Sequence, residues 1–195
     1  MNPTFKLRQG QQGSSLIEVL VTLVILMLGL LGLVGLMVQS QRSQMESYQR
    51  VQALMVLQDM VNRINTNRKA AACYVITTST DGTPFLGTGS TVSPTCPLST
   101  PVTAEQSAQA VRDMTEWNGL LLGNAENSGG SNVGAMLGAR GCVSLVSTGV
   151  YQVSVVWQGN GKTVVPAGVT CGTDLFGDDK QRRAVTAPLQ IANLS

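Results

Sequence analysis

Residues 11–30 read QQGSSLIEVLVTLVILMLGL and contain one charged residue, Glu18. From Val19 to Val38 the chain carries no charge, and Thr22 is the only polar side chain in that run. As an α-helix, a run of about 20 residues spans about 30 Å, the thickness of the hydrocarbon core of a bilayer. The stretch therefore predicts a membrane-spanning helix that has a carboxylate near its start.

The segment before the span is a short positive leader. Residues 1–13, MNPTFKLRQGQQG, contain Lys6 and Arg8 and no acidic residue. This positive charge favours a cytoplasmic N-terminus. Arg42 and Arg50 beyond the span weaken that prediction of topology, but it stands because long C-terminal domains translocate largely regardless of charge. No A-x-A-like cleavage site follows the span, so we expect the segment to stay as an anchor rather than to be removed as a secretory signal.

The helix is expected to continue past the span. Val38 runs directly into QSQRSQ with no turn residue, so residues 39–72 are predicted to form its second half, ending near Ala72. Apolar residues at helical spacing predict one stripe that packs on a domain; they are Val51, Leu54, Leu57, Val61 and Ile64.

Two features of the span are unusual. Gly29, Gly32 and Gly35 each cost about 1 kcal/mol relative to alanine in a helix interior. They indicate either close helix packing in a membrane or a segment that can loosen. An acid within a membrane segment costs several kcal/mol, so Glu18 is either functional or lies at headgroup level near the cytoplasmic end.

Composition excludes several classes of function. The chain has no His, so the commonest general base, the commonest metal ligand and all Ser-His and Cys-His pairs are missing. We therefore expect no enzyme, no catalytic residue, no metal and no cofactor. With 13 basic and 11 acidic residues and no basic patch, nucleic acid is not an expected partner.

The four cysteines predict two disulfides in an exported domain. None forms a CxxC pair, and without His their wide spacing does not indicate zinc. Four cysteines allow three pairings. We favour the sequential one, Cys73–Cys96 and Cys142–Cys171, because Cys142 opens a predicted strand and Cys171 follows a predicted hairpin. Cys73 and Cys96 would then close the loop that leaves the long helix.

The remaining chain predicts an α+β head. Residues 73–141 are loop-rich, with strand-like residues at 74–78 and a second helix near 104–122, for which Thr103 and Gln106 form a capping box. Residues 142–195 predict an antiparallel sheet of about four strands that packs on the long helix. The predicted strands are 142–147, 150–158, 162–165 and 183–191, with turns at Thr148-Gly149 and Asn160-Gly161 and with Pro188 indicating an edge or bulge.

Two acidic groups in the head are weak site candidates. Asp178 and Asp179, beside Lys180, Arg182 and Arg183, are interpreted as a solvated loop. With Asp174 they form a candidate calcium site, but the spacing of the three acids does not match an EF-hand loop. Asp113 and Glu116 are spaced for one helix face, without a sign of the burial that a catalytic pair needs.

The motif G-S-S-L-I-E-V-L-V at residues 13–21, after a basic leader and before an apolar helix, resembles the prepilin signal of type IV pilins and pseudopilins. The resemblance implies that prepilin peptidase, a membrane aspartyl protease, removes residues 1–13 by cutting between Gly13 and Ser14, and methylates the new N-terminus. The family usually has Phe after the cut, so the Ser14 here puts methylation in doubt. It also implies a pilin fold, with residues 14–38 as the membrane-spanning and later filament-core helix.

After this cut Glu18 is the fifth residue of the mature chain, where the family has its glutamate. Our hypothesis is that the N-terminal ammonium of a subunit pairs with Glu18 in the filament, which sets both charge and axial register. The region of Gly29, Gly32 and Gly35 resembles the partly unwound segment of assembled pilins, which favours loosening.

Motifs along most of the chain resemble type IV pilus minor pilins of the PilV kind; they are S-L-I-E-V-L-V, L-G-L-L-G-L, C-V-S-L, Y-Q-V-S-V-V-W-Q-G and a late Cys before R-R. The resemblance implies a priming or tip complex with other minor pilins, pilin subunits, an inner-membrane assembly platform and a large tip adhesin. It further implies adhesion and twitching motility, with an inner-membrane form whose head is periplasmic and then a surface pilus.

Three alternatives remain. A minor pseudopilin of the I type, from a type II secretion system, shares the N-terminal motif, but such proteins are usually shorter and lack this cysteine-rich sheet. A major pilin fits less well because the C-terminal bridge matches weakly and the anchor is glycine-rich. A membrane-anchored periplasmic enzyme or binding protein would keep an intact N-terminus.

Overall fold

The computed structural model describes residues 15–97, 102–124, 127–132 and 136–192. The chain forms two compact units, Met1–Gln44 and Met45–Ser195. The elements in chain order are α1 (Leu16–Thr66), a 3₁₀ helix (Arg68–Tyr74), β1 (Leu86–Gly87), α2 (Ala104–Leu121), β2 (Asn127–Ser128), β3 (Ser131–Asn132), β4 (Arg140–Ser147), β5 (Val150–Gln158), a second 3₁₀ helix (Asp179–Gln181) and β6 (Arg182–Gln190).

The long helix was predicted to bury one apolar stripe, and the structure buries part of it: Leu57 and Ile64 are buried, and Val61 packs against the core. The buried residues of α1 are Ala53, Val56, Leu57, Met60 and Ile64. Val51 and Leu54, which were placed in the stripe, are 50% and 41% exposed. Between residues 51 and 57 the helix is apolar on two sides, so helical periodicity alone could not select the side that packs, and small Ala53 lies at the contact.

The second helix begins where its capping box predicts. The Gln106 backbone N–H donates to Thr103 Oγ1 at 3.3 Å, and the Thr103 backbone N–H donates to Gln106 Oε1 at 3.1 Å. These reciprocal bonds satisfy two of the N–H groups that a helix start leaves without partners. The long helix itself ends at Thr66, and the 3₁₀ helix then carries the chain to Tyr74, whereas the α-helix was expected to end near Ala72.

The main sheet is antiparallel and has four strands in the order β1-β4-β5-β6. The α+β class and the long helix on a four-stranded sheet are therefore confirmed. Strands β4 and β5 form a hairpin across Thr148-Gly149, where Gly149 has a φ of +72°, a left-handed conformation that glycine adopts without strain. Strands β2 and β3 form a separate small hairpin.

The composition of the sheet differs from the prediction in three places. Residues 162–165 form no strand, and Asn160-Gly161 does not turn a hairpin, because β5 pairs with β6 instead. The fourth strand is the two-residue β1, and residues 74–78 contain only an isolated bridge between Thr77 and Ser144. The 159–181 segment is held by side chains, a disulfide and isolated backbone bonds, such as the one from the Thr163 N–H to the Lys180 carbonyl at 2.8 Å, rather than by a ladder. Period-two patterning does not detect such contacts. Pro188 lies in β6, at an edge of this sheet, as predicted.

The core of the head lies between the helices and one face of the sheet. Trp117 of α2 is fully buried, and its indole N–H donates to the Val56 carbonyl of α1 at 2.8 Å. Gly141 of β4 lies beneath this ring, where a Cβ would come within 2.7 Å of Leu121 Cδ1 and still closer to Trp117. Each large apolar side chain that is fully buried contributes roughly 1.5–3 kcal/mol. A smaller cluster covers the other sheet face, with Cys142, Val156, Cys171 and Phe176.

Candidate assembly site

The first half of α1 presents apolar side chains on every side. From Leu16 to Val38 each large apolar residue is between 43% and 90% exposed. By length and composition, α1 is the one helix of the described residues that is suited to cross a membrane. Such a surface is stable only against lipid or against other apolar helices, so this half of α1 forms a membrane anchor or an assembly surface.

Glu18 lies in the first turn of α1. The helix begins at Leu16, and the Glu18 backbone N–H donates to the Ser15 carbonyl at 2.9 Å. A carboxylate in a first turn is favoured by about 0.3–1 kcal/mol, because the helix N-terminus has a partial positive charge. The helix was expected to begin at Ser14; its start at Leu16 places Glu18 in the first turn and gives a local reason for tolerating the acid.

The other expected residues of the anchor divide into two groups. Gly13 and Ser14, the expected cleavage pair, lie outside the described residues. Gly29, Gly32 and Gly35 lie inside α1, which runs through them without a break. A Cβ added at any of the three would meet nothing within 4 Å, so these glycines leave room on the helix surface for a neighbouring chain.

The structure joins the cysteines in sequential pairs. Cys73 and Cys96 are 23 residues apart with 5.0 Å between their Cα atoms, and Cys142 and Cys171 are 29 residues apart with 6.0 Å between theirs. The first bridge fastens the loop after the 3₁₀ helix, where the Cys96 carbonyl accepts from Ser107 Oγ of α2 at 2.7 Å. The second fastens the 159–181 segment to β4.

Asp113 and Glu116 share a counter-ion rather than forming an acid-base pair. Arg63 of α1 donates through Nη1 to Asp113 at 3.1 Å and to Glu116 at 2.6 Å, and through Nε to Asp59 at 2.6 Å. Burial alone lowers the pKa of Arg63, but these hydrogen bonds outweigh it and hold the pKa above its ordinary value. The cluster therefore links the two helices.

Tyr74 completes this link from the 3₁₀ helix. Its hydroxyl donates to the buried Asp113 and accepts from Asn67 Nδ2 at 3.3 Å. Asn67 also donates to the Gln106 carbonyl at 2.9 Å. Burial, and then the hydrogen bond to Asp113, raise the pKa of the Tyr74 hydroxyl well above its ordinary value.

The acidic loop that was interpreted as solvated contains a buried arginine. Arg182 is 2% exposed and binds Asp179 with both forks of its guanidinium, at 2.6 and 2.8 Å. It also donates to the carbonyls of Val169 and Cys171. The interpretation was wrong for Arg182 and Asp179, because backbone carbonyls of the 159–181 segment converge on the guanidinium. The pair holds the pKa of Asp179 below its ordinary value.

No group of three His, Cys, Asp or Glu side chains that could hold a metal ion occurs among the described residues. Asp174, Asp178 and Asp179 are therefore not grouped as metal ligands in that part of the chain. Two of these carboxylates are instead engaged with cations of the protein, Asp179 with Arg182 and Asp178 with Lys162 at 2.8 Å.

Two protein families match the chain. The prokaryotic N-terminal methylation motif matches residues 8–34, and the type IV pilin Tt1218 family matches residues 35–114. The chain belongs to the type IV pilin family. Together the two matches cover α1, the first 3₁₀ helix, β1 and more than half of α2. No curated protein and no solved structure matches the chain.

As a type IV pilin, the chain is a subunit that acts in the assembly of a pilus or pseudopilus. Its N-terminal motif is the signal that prepilin peptidase recognises, and this signal with the apolar helix fits membrane anchoring and a place in a pilus. The family consists of structural subunits.

Proposed function

We propose that this pilin is a minor pilin of the PilV kind, which takes part in initiating type IV pilus assembly and is incorporated into the filament. One observation carries the proposal: the methylation motif of residues 8–34 overlaps α1 from Leu16 onward, and the first half of this helix is exposed and apolar on all sides. Such a helix needs lipid before assembly and the helices of other subunits afterwards. Transfer between these two environments is the function that the surface supports.

The proposed route begins with cleavage between Gly13 and Ser14 by prepilin peptidase. The anchor then holds the chain in the inner membrane as a single span, with its N-terminus in the cytoplasm and its head in the periplasm. From there it joins other minor pilins, pilin subunits, the assembly platform and a large tip adhesin, and so supports adhesion and twitching motility. No step requires a catalytic residue in this chain.

Glu18 is proposed to set the axial register between neighbouring subunits in the filament. When the anchor leaves lipid for a core of other helices, a carboxylate in that core is costly unless a cation pairs with it. Cleavage creates an ammonium at Ser14, and that group of one subunit is the proposed partner of Glu18 in another. Gly29, Gly32 and Gly35 are proposed to let this part of the helix loosen in the filament.

The alternative is a minor pseudopilin of the I type in a type II secretion system. The N-terminal motif fits both families, whereas the head distinguishes them. Two disulfides, one of them fastening the 159–181 segment to β4, support a pilus subunit, because I-type pseudopilins are usually shorter and lack such a cysteine-rich sheet.

The test is the N-terminal sequence and intact mass of the protein from sheared surface filaments and from membranes. We expect a chain that starts at Ser14 in the filament fraction, with a mass that reports two disulfides and the methylation state. A chain that starts at Met1 and occurs only in membranes would make the anchored periplasmic protein the better account. Loss from filaments on deletion of the secretion ATPase, but not of the pilus ATPase, would favour the pseudopilin.

A further inference from the structure

Arg140 opens β4 on the sheet face that points away from the helices. Neighbouring residues of a strand point to opposite faces. Gly141 faces Trp117 on the helix side, so Arg140 shares the other face with Cys142, which is bonded to Cys171. Arg140 therefore lies at the margin of the smaller apolar cluster and not in the core between sheet and helices.

The guanidinium of Arg140 contacts two aromatic rings. Its central carbon is 4.6 Å from the centroid of Phe176 and 5.4 Å from that of Phe85. Nη1 donates to the Gly138 carbonyl at 3.0 Å, whereas Nε is buried and has no hydrogen-bond partner among the described residues. Arg140 is half-buried, and this burial lowers the pKa of its guanidinium.

The other arginines withdrawn from water in the described residues each contact a carboxylate. Arg63 lies within 3.1 Å of Asp113, Arg182 within 2.6 Å of Asp179, and Arg183 within 3.2 Å of Glu46. Arg140 has no such partner in that part of the chain. A charge withdrawn from water without a counter-ion costs free energy, and cation–π contacts of about 1–2 kcal/mol offset only part of it.

We propose that Arg140 receives a carboxylate of an adjacent pilin subunit, an Asp or Glu side chain or a C-terminus, when the subunits assemble. The two rings hold the planar fork in place, so little side-chain freedom is lost when the two parallel N–H···O bonds form. The identity of this partner rests on the proposed function.

A protein surface fits this site better than a small acid. Leu137 is 54% exposed and Leu175 is 40% exposed, and they adjoin Gly138 and Phe176 in the segments that surround the guanidinium. An arginine with aromatic and exposed aliphatic neighbours has the composition of a protein interface. Removal of both leucines from water would favour a macromolecular partner, since each buried CH₂ contributes about 0.8 kcal/mol.

The direct test is zero-length cross-linking of the full mature chain with the substitution Arg140→Lys. A water-soluble carbodiimide joins a lysine amine to a carboxylate within bonding distance, and mass spectrometry of the filament digest identifies the acid. We expect a cross-link from position 140 to an acid of another pilin subunit. Arg112→Lys, an exposed position on α2 whose guanidinium contacts only Gln109 in the described residues, is the matched control and should give at most about a tenth of that yield.

Two cross-linking results would overturn the proposal. The first is no product at position 140 above the Arg112→Lys control. The second is the same product in detergent-solubilised monomers, which would show that the acid belongs to the chain itself; Glu126, outside the described residues, is then the first acid to examine.

A second variant, Arg140→Met, removes the charge and keeps the aliphatic stem. We expect an unchanged or higher Tm for the chain in detergent and at least about tenfold less chain in filaments, because the partner carboxylate loses its cation. Recovery in filaments at the wild-type level would refute the role of Arg140 alone. If the wild-type chain is absent from filaments, the proposed function is contradicted. The role of Arg140 is then tested separately by cross-linking in membranes: a product with another pilin supports it, and no product refutes it.

Discussion

Tyr74 shows how a single side chain can join three elements of the head. It belongs to the 3₁₀ helix, its hydroxyl binds Asp113 of α2, and Asn67 at the end of α1 donates to it. The ring is fully buried, so the hydroxyl has no access to water as an alternative partner. Ionisation of this hydroxyl would place a second negative charge beside Asp113.

We therefore predict that Tyr74 makes the head sensitive to alkaline pH. The pKa of Tyr74 is raised in the folded state, so its stabilisation is complete below the ordinary value near 10 and is lost as the pH rises above it. Wild-type stability should fall by up to about 1.4 kcal/mol per pH unit above pH 10. Tyr74→Phe should cost about 1–2 kcal/mol at pH 7 and flatten that slope.

The measurement is thermal unfolding of the full chain in detergent between pH 7 and pH 11.5. Tyr48→Phe is the matched control, because Tyr48 is 59% exposed and its loss should leave both the stability and the slope unchanged. Equal alkaline slopes for wild type and Tyr74→Phe would show that another group controls the transition.

Gly141 gives a second prediction for a single residue. A Cβ at this position would overlap Trp117 and lie 2.7 Å from Leu121 Cδ1, so Gly141→Ala should cost about 1–3 kcal/mol through overpacking. Gly161→Ala is the control: a Cβ there meets nothing within 4 Å, and the change should stay within about 0.5 kcal/mol. Urea unfolding of the three proteins measures this difference. Equal midpoints would mean that α2 shifts to admit the methyl group.

Among the elements, the two disulfides hold loops of similar length but differ in burial. Cys142 and Cys171 are 2% and 3% exposed, whereas Cys73 and Cys96 are only half-buried. A reductant reaches a buried bridge only after local opening, and an opening of about 1.4 kcal/mol already slows the reaction tenfold.

Limited reduction without denaturant should therefore cleave Cys73–Cys96 first, at least about tenfold faster than Cys142–Cys171. Alkylation followed by peptide mapping over time measures both rates. The same map run without reductant tests the pairing itself, since a peptide that links Cys73 to Cys142 or Cys171 would refute it. Loss of the first bridge alone should lower the free energy of unfolding by about 3 kcal/mol.

Some secondary-structure elements could be predicted from the sequence because their signals are local. The capping box placed the start of α2, and alternation with a Thr-Gly turn placed the β4–β5 hairpin, because both signals are local. The segment at 162–165 failed for the opposite reason: its conformation depends on Arg183, which donates to Thr163 Oγ1 at 2.7 Å and to the Gly161 carbonyl at 2.9 Å. Such long-range side-chain contacts produce no periodic pattern of apolar residues in the sequence.

The residues of the candidate site likewise divide into those that local sequence could predict and those that it could not. Glu18 could be named because the prepilin motif fixes its distance from the expected cleavage site, and the glycines of the anchor because they recur every three residues in the apolar run. Arg140, and the cluster of Arg63 with Asp113, could not, because their roles depend on which residues the fold brings together and which it leaves without a counter-ion. The packed side of α1 could be predicted at Leu57 and Ile64 but not at Val51 and Leu54, since the helix is apolar on two sides between residues 51 and 57.

At the scale of the whole molecule, the two halves of α1 lie in different environments. The second half buries Ala53, Leu57 and Met60 within the head, whereas residues 16–38 bury nothing in the chain itself and depend on lipid or on other subunits. A change in the first half should therefore alter assembly without altering the stability of the head. A change in the second half should do the reverse.

Glu18→Ala tests this separation of roles. It removes the proposed partner of the Ser14 ammonium in a neighbouring subunit, so we expect at least about tenfold less protein in sheared filaments. Membrane levels, cleavage after Gly13 and the Tm of the head should all stay at wild-type values, because Glu18 lies outside the head unit.

Glu46→Gln is the matched control on the same helix. Glu46 pairs with Arg183 at 3.2 Å and is 40% exposed, so its substitution should cost at most about 1 kcal/mol of head stability and leave filament recovery unchanged. Quantitative immunoblots of filament and membrane fractions compare the two variants. If Glu18→Ala assembles as well as Glu46→Gln, subunit register does not depend on this carboxylate, and its place in the first turn of α1 is then sufficient to explain why the anchor contains it.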